Sequence, residues 1–296
     1  ARMFHHKQTK SVGVSMSSAS PSKPLHMNID AQHIAGNGKL GRYILLPGSD
    51  GRALEMAKRL KNVQTVEHNR RHNFYAGQLE VMGRSIDVGV MSSGMGCPSM
   101  DIIATELLQL GVKRVIRVGT AGSLQPKRLR VGNIVIPTAA VRDEGTSRHY
   151  LDATIPVLSS LEFLDIARRV AKEQNVESKI ALGLVHTKDS LYAREFGQGP
   201  LVDQHKIYME HLKKAGVLAS EMECAQLFTL LQIWNQEALV KDAKGPGIRG
   251  GAILAIVGDD EPFATNPKSV AETVDGTIDF AFACIAAWAQ EDTQWI

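Results

Sequence analysis

Short apolar runs that end in glycine-rich turns and hand over to amphipathic helices are the feature of this sequence that most narrows its fold. Tyr43-Ile44-Leu45-Leu46 is broken by Pro47-Gly48-Ser49-Asp50-Gly51, after which Met56 and Leu60 mark a helix. Residues 73–81 and 85–91 flank Met82-Gly83-Arg84 and read as a hairpin. The second of these runs into Ser92-Ser93-Gly94-Met95-Gly96-Cys97-Pro98. Met100, Ile103, Ala104, Leu107 and Leu108 then recur at the spacing of a helix buried on one face, with Pro98 in its first turn. Arg114-Val115-Ile116 begins the next strand, which runs to Arg117 and Val118 before the glycine-rich break Gly119-Thr120-Ala121-Gly122. Further on, residues 133–136, 181–185 and 253–257 read as strands, and residues 161–170 and 205–212 as helices. Ser220-Glu221-Met222-Glu223 reads as the opening of a helix that continues through Leu227 and Leu231. Val270, Val274, Ile278, Ala281, Ile285 and Trp288 share one face of a closing helix. This alternation predicts the α/β class: a single-domain, three-layer αβα fold with helices on both faces of a central, largely parallel or mixed sheet.

The composition fits that expectation. A chain of 296 residues, 44% of them hydrophobic, has material for a large core. Its net charge of +3 carries no basic stripe studded with aromatics, which argues against a nucleic-acid partner. No apolar run is long enough to span a bilayer, so no membrane partner is expected. Cys97, Cys224 and Cys284 are odd in number and far apart, giving neither a disulfide framework nor a CxxC metal site and pointing to a reducing, cytoplasmic setting. Residues 1–24 are rich in Ser, Lys, His and Pro, lack the apolar core of a signal peptide and read as a disordered arm ahead of a domain over residues 25–296. His5-His6 is too isolated a pair to argue for a metal.

Glycine turns at strand ends are where such folds hold ligands. Those after Leu46, Met91 and Val118 are placed to meet in one crevice. Arg117 would bring a guanidinium to it, and the Thr120 hydroxyl and the N–H groups of Gly119 to Gly122 would add donors, which together suit an anion such as phosphate. The alternative for Arg117 is a solvated strand end. A dinucleotide site fits poorly: Gly48-Ser49-Asp50-Gly51 has the wrong spacing, and Gly94-Met95-Gly96 is followed by proline with no third glycine.

Read together, Leu46-Pro47-Gly48-Ser49-Asp50-Gly51-Arg52, Gly94-Met95-Gly96-Cys97-Pro98-Ser99, Arg117-Val118-Gly119-Thr120-Ala121-Gly122 and Glu221-Met222-Glu223 resemble the nucleoside phosphorylase family, and most closely its members that act on uridine. The segments 131–136 and 141–145 also fit. The resemblance implies a nucleoside-phosphorylase-like fold and phosphate-dependent cleavage of a nucleoside into free base and pentose 1-phosphate, with no metal or organic cofactor. It implies a phosphate site made by Gly48, Arg52, Arg117 and Thr120, joined by Arg70 from a neighbouring subunit. It assigns the ribose to Thr120, Met222 and Glu223, with His26 reaching the 5'-hydroxyl of an adjacent subunit, and it makes Arg117 and Glu223 the catalytic pair. The partners implied are inorganic phosphate, a nucleoside and a second copy of the chain, in a homodimer or larger homo-oligomer with shared sites. From the residues alone, Arg70 and Arg71 equally suit a solvated hairpin edge, and Glu221 and Glu223 equally suit the first turn of a helix, where acids complement the macrodipole.

One motif departs. Uridine-cleaving members read uracil with a Gln-x-Arg pair, and the matching stretch here is Asp189-Ser190-Leu191-Tyr192-Ala193-Arg194-Glu195-Phe196-Gly197-Gln198-Gly199-Pro200-Leu201-Val202-Asp203. In one register Gln198 is followed by Pro200; in the other the pair becomes Leu201 and Asp203. With Gly122, these give Gln198 and Leu201 as the residues facing the base. Neither register restores the pair, so the expectation is weak or absent uridine cleavage with ribose and phosphate binding better preserved. Two alternatives stand beside it: a shifted, purine preference with Asp259 as proton donor to the leaving base, although Asp259 and Asp260 also suit a plain polar turn, or a relative that binds nucleoside and phosphate without turnover.

Overall fold

The computed structural model describes residues 24–259 and 267–296. The arm expected over residues 1–24 lies, Pro24 apart, outside the described residues, and so does Asp260. The elements in chain order are α1 (Ala31–Ile34), β1 (Tyr43–Leu46), α2 (Asp50–Ala57), β2 (Lys61–Val66), β3 (Phe74–Val81), β4 (Arg84–Met91), α3 (Cys97–Gln109), β5 (Arg114–Ser123), β6 (Ile134–Asp143), β7 (Val157–Leu158), α4 (Leu161–Glu173), β8 (Ile180–Lys188), α5 (Val202–Lys214), β9 (Ala219–Glu221), α6 (Cys224–Lys241), β10 (Arg249–Gly258) and α7 (Pro267–Glu291).

The sheet is mixed. From one edge its order is β2-β3-β4-β1-β5-β9-β8-β6-β10, with β7 beside β6. β10 also pairs with β5, parallel and along nearly its whole length, so β5, β9, β8, β6 and β10 close into a ring. Helices cover both faces, which makes the three layers. One core gathers the buried sides of α3 and α6, and the other those of α2, α4 and α7. α3 buries Met100, Ile103, Ala104, Leu107 and Leu108, the stripe its spacing predicts, with Gly96 at φ +82° turning the chain into it. The first eight residues of α6 are buried on every side, as befits a helix that runs through the interior rather than over it.

Three expectations change. β2 was not foreseen, because Lys61-Asn62-Val63-Gln64-Thr65-Val66 lies exposed on the sheet edge and shows no apolar alternation. β5 does not end at Val118 but continues to Ser123, since Gly119 to Gly122 pair with β10 and Gly122 also pairs with Ser220 of β9. The backbone of that glycine-rich stretch is therefore committed to the sheet and does not form a free nest. Residues 219–221 form β9, and α6 begins at Cys224, so neither Glu221 nor Glu223 lies in a first helical turn.

At the foot of the sheet, the Arg114 guanidinium meets both carboxylate oxygens of Asp292 at 2.8 Å and also donates to the carbonyls of Lys113, Pro246 and Gly247. The Tyr43 hydroxyl donates to Asp292 at 2.9 Å, and Trp288 stacks beside the guanidinium. This buried set ties the end of the chain to β1 and β5. Replacing Asp292 by Ala strands a buried cation, so Asp292→Ala is expected to lower unfolding stability by about 3–5 kcal/mol in urea denaturation. A change under about 1 kcal/mol would contradict that reading.

Candidate active site

Above the sheet, at the carboxyl ends of β1 and β4 and alongside β5, lies a cavity of about 250 Å³ lined by Gly48, Arg52, Met95, Arg117, Thr120, Ala121, Gly122, Lys188, Leu191, Glu195, Ser220, Glu221, Met222, Glu223 and Val257. Gly48, Arg52, Arg117, Thr120, Gly122, Met222 and Glu223, all singled out in the sequence, meet here. Arg117, Thr120, Ala121 and Gly122 of β5 all line it, so this strand runs along the cavity wall.

At one end sit two guanidinium groups. Ser49 caps α2 with its hydroxyl and so starts the helix that carries Arg52. Arg52 lies against the Gly48 backbone: a Cβ on Gly48 would come 2.9 Å from Arg52 Nη2. Arg117 is not a solvated strand end but 3% exposed. Its Nη2 donates to Glu223 Oε2, its Nε stands 3.4 Å from Glu221 Oε2, and its Nη1 has no hydrogen-bond partner among the described residues. Burial, together with the positive charge of Arg117, pushes Arg52 down to about 10. Burial alone would lower Arg117 too, but Glu223 and Glu221 outweigh it and the guanidinium is held above its ordinary value. Burial pushes the Glu223 carboxyl above the usual carboxylate range, against the pull of Arg117.

Glu221 organises this end. Its carboxylate accepts from the N–H groups of Glu223 at 2.8 Å and Cys224 at 3.0 Å, thereby capping α6, and from the Thr187 hydroxyl at 2.5 Å. Glu223 is left to meet Arg117 and to accept from the Gly96 N–H at 2.6 Å. Sequence periodicity had both acids in the helix; the pairing of β9 with β5 and β8 divides their work.

At the other end are groups that the sequence reading missed. Lys188 is 2% exposed, and its Nζ lies 2.6 Å from Glu195 Oε2 and 2.8 Å from Ser220 Oγ. Leu191–Glu195 forms a single π-helical turn, opened by Ser190, whose hydroxyl accepts from the Ala193 N–H. That turn brings Leu191 and Glu195 back to the cavity and sends Gln198 and Leu201 outward, where both are exposed. Neither Gln198 nor Leu201 lines the cavity. The available signal was Lys188 itself, a charge closing an apolar strand.

The remaining candidates also lie elsewhere in this chain. The backbone N–H and Nδ1 of His26 engage the Glu106 carboxylate, Nδ1 at 2.8 Å. Arg70 is exposed between β2 and β3. Asp259 accepts from the Val131 N–H and does not line the cavity.

A model of the phosphorylase superfamily matches residues 42–237. Uridine phosphorylase of Treponema pallidum (strain Nichols) is 34% identical over 221 residues, 74% of this chain and 78% of that protein. Guanosine phosphorylase of Halorubrum lacusprofundi is 28% identical over 222 residues, covering 75% and 80%. The crystal structure of uridine phosphorylase from Vibrio fischeri ES114 has the same fold, with a TM-score of 0.71 and 25% identity over 89% of this chain and 97% of that one. The chain therefore belongs to the phosphorylase superfamily and, within it, to the nucleoside phosphorylases.

A Cβ on Gly122 would lie 2.6 Å from Glu195 Oε1. A crystal structure of Gly122→Ala is expected to show Glu195 swung away from Lys188, with a stability loss of about 1–3 kcal/mol. An undisturbed Lys188–Glu195 pair would contradict this.

Proposed function

We propose that this chain cleaves uridine with inorganic phosphate, giving uracil and ribose 1-phosphate. The observation that carries the reading is Arg117: a buried guanidinium held by Glu223 and Glu221 that lines one cavity together with Arg52. Two cations forced this close favour a dianion between them, and Gly48 and Thr120 stand beside that position. Glu223, as a carboxylate, suits the paired hydroxyls of a ribose, and Met222 supplies apolar surface for the sugar.

The reaction is displacement at the anomeric carbon. A phosphate oxygen forms the new C–O bond while the C–N bond breaks, and its electron pair leaves with the base. Arg52 and Arg117 orient the nucleophile, and Glu223 holds the sugar; positioning and preset electrostatics do most of the catalysis. The departing uracil gains negative charge on its carbonyl oxygens. In this reading the Lys188 ammonium donates to one of them and Glu195 accepts the ring N–H next to it. In this reading the pair stands in for the Gln-x-Arg pair that the sequence lacks.

Cytidine would turn an amino group toward Lys188, donor against donor, so uridine is expected to exceed cytidine in kcat/KM by about 10³-fold or more. A 6-oxopurine presents the same carbonyl and N–H edge as uracil, and a guanosine phosphorylase is among the relatives. Phosphorolysis of uridine, cytidine, inosine, guanosine and adenosine followed by product analysis decides the base. Inosine or guanosine above uridine would replace the pyrimidine reading, and nucleoside binding with no product from any of them would make the chain a non-catalytic binder.

Arg117→Ala is expected to weaken phosphate binding by about 1.5–3 kcal/mol in titration calorimetry, the cost of losing a charged hydrogen bond. Unchanged affinity would remove Arg117 from the phosphate site. We further propose a homo-oligomer in which His26 and Arg70, remote from their own cavity, complete a neighbour's. Sedimentation velocity at micromolar concentration is expected to show a dimer or larger species; a fully active monomer would overturn that arrangement.

A further inference from the structure

A lysine ammonium sits on a flexible stem and has no fixed direction of donation, so a lysine that must meet one atom of a ligand needs partners that aim it. Alternation along β8 puts His186 and Lys188 on one face, two residues apart. The parallel register pairs His186 with Ser220 on β9 and Lys188 with Asp143 on β6, so three adjacent strands set these side chains in a row. Asp143 Oδ2 lies 2.9 Å from His186 Nε2, and His186 Nδ1 lies 3.0 Å from Ser220 Oγ, which accepts from Lys188 Nζ at 2.8 Å. Arg194 grips the Asp143 carboxylate at 2.7 and 3.0 Å while stacking on Tyr208. His186 is fully buried.

The direction of donation follows from the chemistry of the groups. An ionised carboxylate only accepts, so His186 donates Nε2–H to Asp143; a neutral imidazole then offers Nδ1 as an acceptor to the Ser220 hydroxyl, whose oxygen accepts in turn from Lys188. We propose that His186 is a positioning residue for Lys188: fixed by Asp143, it accepts a hydrogen bond from the Ser220 hydroxyl, so that a serine lone pair faces the ammonium and holds it at the base end of the cavity. Ser, His and Asp in a row also describe a nucleophilic triad, but here an ammonium is bonded to the serine oxygen and withdraws its electron density.

The proposal rests on the reading of Lys188 as donor to the departing base, and a double-mutant cycle on the full chain separates the two. Lys188→Ala and His186→Phe are each expected to lower kcat/KM for the preferred nucleoside roughly 10- to 100-fold, with KM for phosphate unchanged. The double variant should be no worse than Lys188→Ala alone, because His186 acts only through the lysine. Additive losses, a His186→Phe enzyme at full activity, or equal damage to nucleoside and phosphate parameters would overturn the role of His186. If His186→Phe does not fold, Ser220→Ala, which keeps the imidazole, takes its place in the same cycle. Full activity in Lys188→Ala would instead overturn the reading of the base end, and the positioning role with it.

Discussion

The pairing of Arg117 with Glu221 and Glu223 is the constraint on which the site is built. A guanidinium buried to this extent is tolerable only with charge and hydrogen bonds around it, and both carboxylates come from the short junction between β9 and α6. That junction stands where it does because Gly122 of β5 is registered with Ser220 of β9, which brings the turn carrying the acids over the strand carrying the arginine. Breaking the pair by removing one partner costs more than the pair contributes, so its place in the structure is better explained by what it arranges than by the stability it adds. It fixes a cation at one end of a cavity and leaves Arg117 Nη1 without a hydrogen-bond partner among the described residues.

The closure of the sheet supplies the other end. With β10 bonded to both β5 and β6, the strands β9 and β8 curl round until Lys188, at the tip of β8, faces the same cavity as Arg117. The cavity is thus charged at both ends, with Met95, Ala121, Leu191, Met222 and Val257 among the residues between and around them. Close approach, not turn geometry, gives its glycines meaning: a side chain at Gly48 would press on Arg52, and one at Gly122 on Glu195. Cys97 donates to the Met222 carbonyl, and burial pushes its thiol and that of Cys224 up, so the sulfur near the site packs rather than reacts.

Much of this could be read from the sequence because it is local. The handover from β1 to α2, the hairpin of β3 and β4 and the buried stripe of α3 each follow from spacings inside one segment, and together they define the class of fold. The residues at the Arg117 end were also legible, since Gly48, Arg52, Arg117, Thr120, Met222 and Glu223 stand in short motifs whose chemistry is visible in each. What resisted was everything decided by a partner far along the chain. The edge strand β2 has no apolar pattern because its residues are exposed on both faces, with only Val66 partly buried. β9 has three residues and exists only because β5 and β8 flank it. The π-helical turn at Leu191–Glu195 shifts which side chains face inward, and no spacing rule announces it.

By itself, then, the sequence determined the layers, the sites of its glycine approaches and the identity of the groups at the cationic end, because those depend on periodicity and residue type within a few turns of chain. Only the tertiary structure decided that Arg117 is buried and paired, that Glu221 caps a helix while Glu223 faces the cavity, and that Lys188 and Glu195, not Gln198 and Leu201, stand at the opposite end. Each of those outcomes hangs on strand pairings between residues far apart in sequence, whose energies come from contacts that exist only once the ring of strands has closed.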